Sequence, residues 1–154
     1  MRLEKFIKSY DNWCFPDEKT MKMDFSEYKK KEEKKWKLRA QMLKARWPLF
    51  DDYKHFKNSL KNAKIVNLTS DLFNKIEHVT NINNIDDLRS MVSEYIYPRD
   101  IDRIIKGFEE NKKIPYPIIL KSKHKYFIMA GNTRQNTASI MNIKVKVMIV
   151  DVGK

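Results

Sequence analysis

Tyr126-Phe127-Ile128-Met129-Ala130-Gly131-Asn132-Thr133-Arg134-Gln135-Asn136-Thr137-Ala138 is the stretch that decides the fold. Five apolar residues in succession read as a strand buried on both faces. Gly131 ends it, and a helix over 132–141 begins at once. Glycine at such a corner permits a positive φ or a close approach of backbone. Asn132 or Thr133 can cap the helix, whose first free N–H groups point outward at the positive end of its dipole. Arg134 adds a planar donor fork suited to phosphate, and Gln135 follows in the same turn. Gly131, Asn132, Thr133, Arg134 and Gln135 therefore form a candidate anion site. The same pattern also describes an ordinary capped strand-to-helix turn with Arg134 in solvent, so local physics leaves both readings open.

Working outward, Pro117-Ile118-Ile119-Leu120 reads as a strand, Lys121-Ser122-Lys123-His124-Lys125 as a turn, and 145–150 as a final strand. Asp100 is placed to open a helix with Ile101, Ile104, Ile105 and Phe108 facing inward. Before it, two helices are expected, one carrying Leu72, Phe73, Ile76 and Val79, the other Leu88, Met91, Val92 and Tyr95, closed by Pro98. Lys64-Ile65-Val66-Asn67-Leu68 is a short strand candidate. The first 63 residues read as helical: Leu3, Phe6, Ile7 and Tyr10 form a stripe, Pro16 breaks it, and Asp24 or Ser26 can cap a helix running to about Arg46. A third helix is expected over 49–60. Trp13, Trp36 and Trp47 are most simply packing between these helices and the rest.

The segment from Ala130 to Ala138 resembles the second signature box of the ParB/sulfiredoxin superfamily, in which a strand ends in G-x-x-R followed by a helix of small residues. Gly131, Arg134 and Ala138 match. A helix ending near Gly107-Phe108, then Pro117-Ile118-Ile119, resembles the first box. The resemblance covers about one third of the chain and none of the first sixty residues. It implies an α/β fold, or α+β if the sheet is mixed, with a small ParB/sulfiredoxin-type sheet over 64–154; the residues before it, 1–63, read by themselves as a basic helical segment. It also implies a nucleoside triphosphate, ATP or CTP with Mg²⁺, with its phosphates on the Gly131–Arg134 turn. The sulfiredoxin nucleophile falls at Asn132, which excludes sulfinic-acid reduction by that chemistry. The glutamate common in ParB also falls there, where Asn still offers an oxygen to Mg²⁺. The helix-turn-helix and dimerisation regions that follow this box in partition proteins have no counterpart before Lys154.

Composition narrows the partners. The 154 residues are 42% hydrophobic and 34% charged, enough apolar material for a real core, with a formal net charge of +12. Through Lys64 there are 18 Lys/Arg against 10 Asp/Glu; beyond it, 14 against 10. That balance favours polyanions, although abundant Lys, Asn and Ile is also the bias of AT-rich genomes, viral ones included. The single cysteine, Cys14, excludes an internal disulfide, and the three histidines fit no zinc spacing. No apolar run approaches the roughly 18–20 residues of a membrane span, so a soluble, cytoplasmic protein is expected.

If phosphate is transferred or hydrolysed, a carboxylate should hold metal or act as base, and Asp100 and Asp102 are the candidates, although an aspartate placed like Asp100 is more often a helix cap. Glu109, Glu110 and Asp151 are weaker ones. The run containing Lys30, Lys34, Lys35, Lys37 and Arg39 can track a phosphate backbone, or simply be a solvated helix face with i,i+3 pairs such as Glu32–Lys35. Three function classes stand. The first is a nucleotide-binding protein, which extends to a nucleotide-dependent phosphotransferase or phosphohydrolase. The second is a DNA-binding or DNA-nicking protein using the basic helix, and the third a non-catalytic interaction protein that keeps the fold.

Overall fold

The computed structural model describes residues 8–43, 53–77, 82, 84–93 and 100–153, with backbone alone over 32–43. In chain order the elements are β1 (Trp13–Cys14), α1 (Glu18–Leu43), α2 (Tyr53–Ser59), β2 (Lys64–Asn67), α3 (Ser70–Lys75), β3 (Ile76–Glu77), α4 (Ile85–Ser93), α5 (Ile101–Glu109), β4 (Ile114–Pro115), β5 (Ile118–Ser122), β6 (Lys125–Ala130), α6 (Asn132–Ile140) and β7 (Lys146–Asp151). A 3-10 turn over Leu60–Asn62 joins α2 to β2.

Five strands form one mixed sheet in the order β2-β7-β5-β6-β3, and β1 pairs with β4 in a separate parallel pair. Within the large sheet β7 runs parallel to β5 and β6 to β3, while β2–β7 and β5–β6 are antiparallel. The mixed α/β character expected from sequence is thus present. β5 occupies the centre because Ile118, Ile119 and Leu120 are all fully buried and serve both faces.

Helices cover both sides, giving three layers. Phe25 and Tyr28 of α1 and Phe56 of α2 pack on Ile118, Leu120, Phe127, Met129, Met148 and Val150 on one face. The opposite face meets Trp13, Phe108 and Ala138 through Ile119 and Val147. Leu88, Val92 and Ile101 knit α4 to α5, with Ile140 of α6 against them. The N-terminal segment therefore shares a core with the sheet. No helix among the described residues is long and apolar enough to cross a membrane.

Several local expectations need correction. Helix α1 starts eight residues before Ser26, because Pro16 sets up Asp17 as the cap: its carboxylate accepts the Thr20 N–H at 2.7 Å, and that bond holds its pKa below the usual aspartate range. Ile76 leaves the helix containing Leu72 and Phe73 and enters β3, where it pairs with Tyr126. The 121–125 turn shrinks to Lys123-His124, since Lys121, Ser122 and Lys125 join the hairpin ladder. The expected helix over residues 3–10 falls largely outside the described residues, as do Trp47, Val79 and Tyr95; of Trp36, only the backbone is described.

Candidate functional site

Gly131 has φ +90° and ψ +17°, a left-handed conformation, and it serves as the N-cap of α6. A Cβ built on it would lie 2.7 Å from both Cα and Cβ of Pro117 and 3.0 Å from Nη2 of Arg134. Glycine is required there twice over, by its torsion and by its neighbours. A register shift between Ile118 and Ile119 in the β5–β6 ladder adjoins this corner, and such bulges re-aim backbone next to functional sites.

The cap itself corrects the sequence reading. Neither Asn132 nor Thr133 caps the helix; both lie inside it, and the cap residue, Gly131, makes no side-chain hydrogen bond to the first turn. Gly131 offers the first N–H groups of the helix no capping oxygen, an arrangement that suits an anion. Asn132 Oδ1 instead accepts from Gln135 Nε2 at 3.3 Å and from Asn136 Nδ2 at 3.2 Å. Asn136 Nδ2 also donates to Asn132 O at 3.0 Å, and Thr137 Oγ1 donates to Thr133 O at 2.8 Å.

Arg134 is turned inward. Its Nε–H donates to Pro115 O at 3.1 Å, so the guanidinium ties the start of α6 to β4 while Gly131 rests on Pro117. Arginine here fixes the turn as well as placing positive charge beneath it. We expect Arg134→Ala to lower the stability of the ligand-free protein by about 1.5–3 kcal/mol, the range for a hydrogen bond to a charged group, as read by urea denaturation. An unchanged midpoint would show that the Pro115 tether is not holding the turn.

Thr133, Gln135, Asn136 and Thr137 are all buried, between 0% and 6% exposed. Four polar side chains buried in one short helix are costly unless their hydrogen bonds are met. The bonds within the helix meet several of them, and the remainder concentrates polarity behind the turn. Sequence reasoning named Thr133 and Gln135 but not Asn136 or Thr137, although the polar run Asn132 to Thr137 after an apolar strand was the available signal.

The carboxylates have structural partners. Asp100 caps α5, accepting the Arg103 N–H at 3.1 Å. Asp102 pairs with Arg89 through two bonds of 3.0 and 2.5 Å, and this guanidinium holds its pKa below the usual range. Among the described residues no three His, Cys, Asp or Glu side chains cluster as metal ligands. Asn132 Oδ1, the oxygen considered for Mg²⁺, is engaged by two amides, and that does not fit a metal ligand, so we assign no step to the ion.

Lys30 and Lys31 of α1 are exposed, and Lys31 pairs with Glu27 at 3.3 Å. Lys34, Lys35, Lys37 and Arg39 lie on the same helix, with their side chains outside the described residues, as is the proposed Glu32–Lys35 pair. The structure brings Gly131, Asn132, Thr133, Arg134 and Gln135 together at one corner, and it places Asp100 and Asp102 on a different helix.

Comparison with family models, with characterised proteins and with solved structures finds no match to this chain. The corner itself therefore carries the functional reading.

Proposed function

We propose that this chain binds a phosphate-bearing nucleotide at the Gly131–Arg134 corner, with the phosphate on the N–H groups of Asn132 and Thr133. The observation that carries this reading is a helix start capped by a left-handed glycine, which makes no side-chain hydrogen bond to the first turn. Arg134, tied to Pro115, adds positive charge to the same corner. The resemblance of Gly131, Arg134 and Ala138 to the ParB/sulfiredoxin G-x-x-R box supports the same reading and names ATP or CTP as first probes. A phosphotransferase or phosphohydrolase reaction is a further step of this proposal, with its carboxylate unassigned.

Arg134→Ala alone is a poor test, because it also loosens the fold. Asn132→Asp separates the two effects. An aspartate in the first turn keeps an oxygen for Gln135 and Asn136, and it favours the helix dipole by about 0.5 kcal/mol. The same negative charge repels phosphate. With Mg²⁺ present, ATP or CTP at a hundred times its Kd should stabilise the parent protein by about 2.7 kcal/mol in a thermal-shift assay. Asn132→Asp should melt no lower than the parent without ligand and, in EDTA, where no metal ion can bridge its carboxylate to phosphate, should lose most of the nucleotide-induced shift. If neither nucleotide stabilises the parent, or if the shift survives in Asn132→Asp in EDTA, the reading fails.

A further inference from the structure

Phe15 is 66% exposed, yet its backbone is fixed on both sides: β1 precedes it, and buried Pro16 and the cap residue Asp17 follow it. Its ring meets Tyr116 edge-to-face, with centres 5.5 Å apart and planes at 70°. Tyr116 in turn stacks on buried Trp13 at 6.2 Å and 13°. A single exposed ring is ordinary surface, but one held by a strand, a proline and two further rings is a rigid platform.

The strand register sets that platform beside the first turn of α6. In the β1–β4 pair Trp13 lies opposite Ile114 and Cys14 opposite Pro115, and Cys14 O accepts the Tyr116 N–H at 2.9 Å. Side chains alternate along a strand, so Trp13, Phe15, Ile114 and Tyr116 share one face. Ala138 of α6 packs in the same cluster as Trp13 and Ile114. One helical turn earlier Arg134 reaches Pro115 O, and at the cap Gly131 meets Pro117. Tyr116 therefore falls between the two residues that hold the corner, its Cα about 3.8 Å from that of Pro117.

We infer that Phe15, backed by Tyr116, is the stacking platform for the base of the bound nucleotide, an inference that rests on the phosphate reading of the Gly131–Arg134 corner. With phosphate on the N–H groups of Asn132 and Thr133, the base lies on the open part of the Phe15 ring. The ligand class is a purine or pyrimidine nucleotide alike, because stacking on an aromatic side chain uses the face that every base has. A base is uncharged, so Asp17, whose carboxylate accepts the Thr20 N–H at 2.7 Å, does not repel it. The platform comes from the N-terminal segment and the phosphate turn from α6, so the site joins both parts of the chain.

The test is isothermal titration calorimetry of the full chain with ATP and with tripolyphosphate, each with Mg²⁺. Tripolyphosphate keeps the phosphate chain and lacks ribose and base, so it reads the corner alone, while ATP reads corner and platform together. Phe15→Ala should weaken ATP about tenfold, the loss of one stacked base, and leave tripolyphosphate affinity unchanged. Phe15→Trp, which restores a ring, should keep ATP affinity. The ring is largely exposed, so both variants should melt with the parent when no ligand is present. A second measurement needs no variant: the adenine ring-proton resonances of ATP should move upfield on binding to the parent, the mark of an aromatic ring lying over the base. If Phe15→Ala weakens both ligands alike, or neither, or if the adenine resonances do not move upfield, the platform is wrong and the phosphate reading stands. If the parent does not bind tripolyphosphate, the phosphate reading fails and the platform falls with it.

Discussion

Gly131→Ala is expected to lower the unfolding free energy by about 3 kcal/mol or more. A left-handed torsion costs a residue with a Cβ about 1–2 kcal/mol. The added carbon would also meet Pro117 at 2.7 Å, at the Cα and Cβ of a fully buried residue leading into β5. Backbone cannot swing aside as a flexible side chain would, and overpacking of this kind adds about 1–3 kcal/mol. With a urea slope of about 2 kcal/mol per molar, the midpoint should fall by about 1.5 M. A midpoint within about 0.3 M of the parent would mean that β6 does not enter α6 through this left-handed corner.

The second large effect concerns the N-terminal segment. Phe56 is fully buried, with ring centres of Phe25 and Tyr53 at 5.7 and 5.9 Å. It shares one cluster with Leu120, Met148 and Val150 of the central strands. Truncation to alanine should cost about 3–5 kcal/mol, because the cavity opens between α2 and the sheet and little can collapse into it. The loss should be felt by the whole molecule. Far-ultraviolet circular dichroism and tryptophan fluorescence should follow one transition in parent and variant alike, even though Trp13 belongs to the core on the opposite face of the sheet. Two separated transitions, with Phe56→Ala moving only one, would mean that a helical unit over 1–63 folds apart from 64–154.

How far the fold could be read beforehand depends on how local each signal is. The passage from β6 through Gly131 into α6 was legible because five apolar residues, a glycine and a polar helix are contiguous. Asp100 at the start of α5 was legible for the same reason. β3 was not: Leu72, Phe73 and Ile76 fit a helical period, and only pairing with Tyr126 pulls Ile76 into the sheet. The pair β1–β4 joins Trp13 to Ile114 and Cys14 to Pro115, about a hundred residues apart, and no short-range pattern announces it.

The site divides along the same line. Gly131 and the first turn of α6 were visible in sequence. The inward turn of Arg134 depends on Pro115 being held by β1, and the burial of Asn136 and Thr137 depends on α6 packing against α4 and α5. The lysines tell the same story in reverse. The dense run in α1 stands out in the sequence, whereas Lys64 and Lys121 come to line one groove only through the register of three strands.

The most direct test of the phosphate reading is a ¹⁵N-resolved amide titration of the full chain with ATP and with CTP, each in Mg²⁺. If the corner binds phosphate, the largest shift changes fall on the amides of Gly131 to Gln135, saturate together, and are absent in Asn132→Asp when the titration is repeated in EDTA. If those five amides stay still while the parent protein binds nucleotide elsewhere, or if no amide moves at millimolar nucleotide, the corner is a structural turn and the proposed function is wrong.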